Sequence, residues 1–88
     1  MSAIAKPCRL ELNNSGSWKL LGRFDCADDE QTALVLDAAE ELVKTLHNSE
    51  DPKGCPTLRV SMNDALGIVL MRWDLERGWR DAHTGEPA

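Results

Sequence analysis

The residues with chemistry to offer in this chain are three cysteines, two histidines and a short acidic run. Cys8, Cys26, Cys55, His47 and His83 are the available metal ligands. No two of the cysteines stand as Cys-x-x-Cys, and the histidines are far apart. Structural zinc needs four converging ligands, so this spacing predicts no metal and no other cofactor. Cys26 comes just before a predicted helix, whose positive end would stabilise a thiolate. The sequence places no base beside it, so no catalytic residue is assigned. Cys8 reads as a small apolar core residue, and Cys55, between Gly54 and Pro56, as a loop residue. Asp28, Asp29 and Glu30 resemble a binding cluster, but the start of a helix already accounts for them. His47 suits the negative end of that helix, and His83 falls in the tail. There is no glycine-rich phosphate loop, nucleophile elbow or triad arrangement. Small domains seldom combine a concave pocket with converging titratable groups, so an enzyme is the third choice of function.

The helix that would position these groups spans 28–48. At about 100° per residue, Leu34, Val35, Ala38, Ala39, Leu42, Val43 and Leu46 share one side. Asp37, Glu40, Lys44 and His47 share the other. Asp28 and Gln31 have the spacing of a capping box, and Asn48 with Pro52 beyond it marks the end. Leu42 is the predicted middle of the core.

Four strands are predicted around it. Residues 8–12 alternate, with Cys8, Leu10 and Leu12 inward. Asn13-Asn14-Ser15-Gly16 is a turn, and 18–24 alternate again, with Trp18, Leu20 and Phe24 inward, completing a hairpin. After a polar loop over 49–56, residues 57–62 turn Leu58, Val60 and Met62 inward. Residues 68–74 follow, phased with Val69, Met71 and Trp73 inward. The expectation is an α+β fold, ββαββ, with one helix on a four-stranded antiparallel sheet in the order 2-1-3-4. Residues 1–80 would form this single domain and 81–88 a disordered tail.

One helix covers one face of such a sheet. The uncovered face is predicted to carry Arg9, Glu11, Lys19, Arg23, Arg59 and Arg72, with Leu21, Ile68 and Leu70 among them. Apolar side chains between arginines on an open sheet resemble an interface. Three coverings compete: the segment 75–79 folding back with Trp79, a second copy in a homodimer, or another partner.

Composition narrows the rest. A hydrophobic content of 42% with 28% charged residues belongs to an ordinary globule. No run approaches the ~18 apolar residues of a membrane span, and Met1 to Pro7 lacks the apolar stretch of a secretory signal. The expected location is the cytoplasm, with free thiols. A net charge of −5 argues against general nucleic-acid binding, as does a predicted open face without aromatic rings. The sequence therefore predicts a non-catalytic module for self-association or protein interaction. The alternative is binding of an anionic ligand or nucleic acid on the arginine-bearing face.

Overall fold

The computed structural model describes residues 6–14, 16–48 and 54–87. Its elements are β1 (Pro7–Asn14), β2 (Ser17–Asp25), α1 (Asp29–His47), β3 (Thr57–Met62), β4 (Val69–Asp74) and β5 (Gly78–Asp81). The strands form one sheet in the order β2-β1-β3-β4-β5, antiparallel at every pairing. The fold is α+β. It has the predicted order with a fifth strand added at the β4 edge.

That fifth strand decides where Trp79 goes. Residues 75–77 turn, with Asp74 Oδ1 accepting from the Arg77 amide at 2.8 Å and Gly78 at φ 74°. Only glycine enters that backbone region without strain. β5 then pairs with β4, with Trp79 opposite Trp73. The Trp79 indole Nε1 donates to the Leu36 carbonyl at 3.3 Å. The ring therefore braces the helix side and leaves the open face uncovered. Beyond Asp81 the chain stays tied to the sheet. The Asp81 amide donates to the Glu86 carbonyl at 2.8 Å, and Pro87 forms a bridge with Arg80. Ser15 of the hairpin turn and residues 49–53 of the polar loop lie outside the described residues.

The helix is capped as its sequence predicts, with one change of partner. Asp28 accepts from the Gln31 amide at 3.0 Å. Gln31 Oε1 reaches back past Asp28 to the Asp25 amide, also at 3.0 Å, and so ties the helix to the end of β2. Asn48 closes the other end in the left-handed conformation, its amide donating to the Lys44 carbonyl.

The core consists of Cys8, Leu10, Phe24, Ala39, Val43, Leu58, Val60 and Trp73. On α1 this differs from the predicted face. Ala39 and Val43 are buried and Val35 and Leu36 partly so, while Leu34, Ala38, Leu42 and Leu46 are exposed. The apolar arc of the helix is wider than the sheet can cover, because Leu36 extends it about 20° beyond Val43 on the wheel. Trp79 holds the Leu36 side against the sheet. Leu34, Ala38 and Leu42 fall on the outward edge of that arc, and Leu42 is 49% exposed instead of lying at the centre of the core.

Candidate binding face

The open face is built from cross-strand rows, and two β-bulges set its composition. In the β1–β2 pair, Leu10 is opposite Gly22 and Glu11 is opposite Leu20, so Leu21 is the extra residue. A bulge reverses which side the following residues take. Trp18, opposite Asn13, and Leu20, opposite Glu11, thus lie on the open face, not in the core as their alternation predicts. Lys19 is opposite Leu12 and shares the helix side, which corrects its predicted place. In the β3–β4 pair, Val60 is opposite Met71 and Ser61 is opposite Val69, which leaves Leu70 as the bulged residue. Leu70 packs against the core, and Val69 takes the open side instead.

The resulting rows are rich in guanidinium. Arg23 is opposite Arg9, which is opposite Ser61. Glu11 is opposite Arg59, Arg59 opposite Arg72, and Arg72 opposite Arg80. Of the predicted face residues, Arg9, Arg23, Arg59 and Arg72 come together here. Leu21 lies at the bulge and Ile68 at the foot of β4, each 46% exposed. Trp18, Leu20 and Arg80 were missed. Trp18 and Leu20 carried no signal, since alternation through the Leu20-Leu21 pair fits either phase. Arg80 did carry one, because Asp74 and Gly78 frame a turn that returns Trp79 and Arg80 as a strand.

Glu11 organises the middle of the face. Its Oε1 accepts from Arg59 Nε at 3.0 Å and from Ser61 Oγ at 3.2 Å, and Ser61 is fully buried. Partial burial by itself raises the Glu11 pKa. The hydrogen bonds and charge of Arg59, the Ser61 hydroxyl and the charge of Arg9 outweigh it and hold the carboxyl below its ordinary value. Arg59 also stacks on Trp18, with its Cζ 4.0 Å from the ring centroid. Arg80 is held by Asp74 at 2.7 Å. The Arg9 guanidinium lies over Gly67, where a Cβ would meet it at 2.7 Å, and Arg9 Nε is buried without a hydrogen-bond partner. Arg23 Nε reaches Asn63 Oδ1 at 3.4 Å.

Among the described residues the face therefore sets Arg9, Arg23, Arg59, Arg72 and Arg80 against the carboxylates of Glu11, Asp74 and, at the end of β2, Asp25. The helix presents the opposite sign through Asp29, Glu30, Asp37 and Glu41. A cavity of about 140 Å³ opens on the face among Trp18, Thr57, Arg72, Asp74 and Arg80. A larger one, about 290 Å³, lies by the C-terminal end of α1 between Leu12, Leu46, His47, Gly54 and Pro56. Its lining is apolar or neutral apart from His47, so it lacks the converging charges of the first.

Elsewhere the chemistry is unpromising. Among the described residues no three His, Cys, Asp or Glu side chains gather as metal ligands, and no helix is long and apolar enough to cross a membrane. The Cys26 pKa is pushed up to about 12, first by burial and then by the Cys8 thiol hydrogen-bonded beside it. The helix dipole was expected to act in the opposite direction and is overridden. Iodoacetamide is accordingly expected to label Cys26 of the folded protein slowly at neutral pH, with a rate still climbing above about pH 9. Residue-specific mass spectrometry checks this, and a rate already level by about pH 8 would contradict it.

No family model, no curated protein and no solved structure matches the chain.

Proposed function

We propose that this protein is a non-catalytic binding module whose open sheet face docks an acidic surface of a partner protein. The observation that carries the reading is one uncovered face. Leu20 is exposed there between arginine rows with the exposed Leu21 at the bulge beside it, and Arg9, Arg23, Arg59, Arg72 and Arg80 outnumber Glu11, Asp25 and Asp74. Solvated surfaces rarely place aliphatics and cations together in this way, whereas interfaces do. Self-association through the same face brings arginine rows against arginine rows, so a different, acidic partner fits better than a second copy. Three unbonded thiols support a reducing, cytoplasmic setting.

A second reading draws on Trp18. With its ring on the open face and Arg59 stacked on it, one base-stacking platform is present where the sequence predicted none. Single-stranded nucleic acid is therefore the runner-up.

The test is charge reversal at two exposed positions, Arg23→Glu with Arg72→Glu. Neither guanidinium is in an ion pair among the described residues, so the fold should survive. Arg59 is spared because a glutamate there would oppose Glu11. The parent is expected to be retained on a polyglutamate matrix at low salt and released as salt screens the attraction. The double variant should flow through with an unchanged Tm. A parent that is monomeric by light scattering and not retained would exclude the open face as the working surface. Tighter retention on an oligonucleotide matrix would favour the runner-up.

A further inference from the structure

We infer that the cavity between Trp18 and Arg80 is a receptor pocket for one carboxylate of the acidic partner, an inference that rests on the binding reading above. Arg59, Arg72 and Arg80 stand directly opposite one another on three neighbouring strands. Like charges in such register repel. Glu11 neutralises Arg59 and Asp74 neutralises Arg80. Arg72, between them and exposed, has no ion pair among the described residues. Arg80 Nε is buried and also lacks a hydrogen-bond partner. A guanidinium can only donate, so the exposed Arg72 fork and the Arg80 Nε–H are both open to an acceptor.

Charge and shape select which acceptor. Two guanidiniums against Asp74 leave a single positive charge at the pocket, which a carboxylate matches and a phosphate dianion exceeds. The cavity of about 140 Å³ has the Trp18 indole on one wall and Thr57 beside it. That suits a planar carboxyl on a short apolar stem, whether a glutamate side chain or a chain end. The Arg72 fork would take the carboxylate edge-on and the indole would cover its methylenes.

The experiment follows the arginine Nε–H and tryptophan Nε1–H NMR signals of the full chain at neutral pH and low salt. The probes are hexaglutamate blocked at both ends, the same peptide with a free C-terminus, hexaglutamine, inorganic phosphate and hexathymidylate. Blocked hexaglutamate is expected to move the signals of Trp18, Arg72 and Arg80, and hexaglutamine to move none. Arg72→Gln should weaken binding about tenfold without loss of fold. Stronger binding of the free-ended peptide assigns the chain-end carboxylate as ligand, and equal binding assigns the side chain. If hexaglutamate moves only Arg9 and Arg23, the pocket is overturned while the open-face reading stands. If no signal moves, both fall. If phosphate or hexathymidylate moves the same three signals at lower concentration, the carboxylate assignment is overturned.

Discussion

Val43→Asp is expected to leave the chain unfolded, while Leu42→Asp, one residue earlier, is expected to leave it folded. Val43 has no exposed surface and belongs to the cluster that includes Ala39, Leu58 and Trp73. A carboxylate placed there finds no cation and loses its water, at a cost of several kcal/mol. A chain of 88 residues has about 4–13 kcal/mol of stability in all, so that cost consumes most of it. Leu42 is half in water, and a polar replacement changes stability by about 1 kcal/mol or less, chiefly through helix propensity. Circular dichroism and urea midpoints for the pair decide the matter. If Leu42→Asp were the more damaging, the helix would face the sheet as its wheel predicts and not as Trp79 turns it.

Glu11→Ala is expected to cost about 2–3 kcal/mol, the largest effect on the open face. The substitution strips Arg59 of its carboxylate and leaves the buried Ser61 hydroxyl without its acceptor. Arg59 keeps some water, which holds the figure below that of a fully buried pair. Acid should act in the same direction. The folded carboxyl titrates below its ordinary value of 4.5, so its contribution is complete above that pH. It is lost as pH falls through the lower, folded value. Urea midpoints measured from about pH 6 to about pH 3 should therefore decline in the parent and decline less steeply in Glu11→Gln. Parallel profiles would remove Glu11 from the centre of the face.

What the sequence discloses here is what is local. The alternation from Cys8 to Leu12 and from Leu58 to Met62, the Asp28–Gln31 cap and the Asn48 stop each depend on near neighbours. All of them reappear in the structure. What it conceals depends on partners far along the chain. The two-leucine pairing at Leu20-Leu21 gives no hint that a bulge falls there, and Trp18 is placed in the core by default. β5 has a single apolar side chain, Trp79, and so shows no alternation to detect. Without β5 the rotation of the helix is also hidden, because the hydrogen bond to Leu36 that sets it comes from Trp79. The arginine face was legible in outline from Arg9, Arg59 and Arg72. Its pocket is not, since alternation places Trp18 in the core and gives Arg80 no strand to stand on.

The bulge at Leu21 has a consequence for how the gene tolerates change. Upstream of it, odd-numbered positions of β2 turn to the helix, and downstream even-numbered ones do, as Lys19 and Phe24 illustrate. The two halves of the strand thus turn opposite parities toward the helix, with Leu21 as the point of inversion. Loss of that single codon would only make the ladder regular: Leu20 would still stand opposite Glu11, Lys19 opposite Leu12 and Trp18 opposite Asn13, so neither face would change hands.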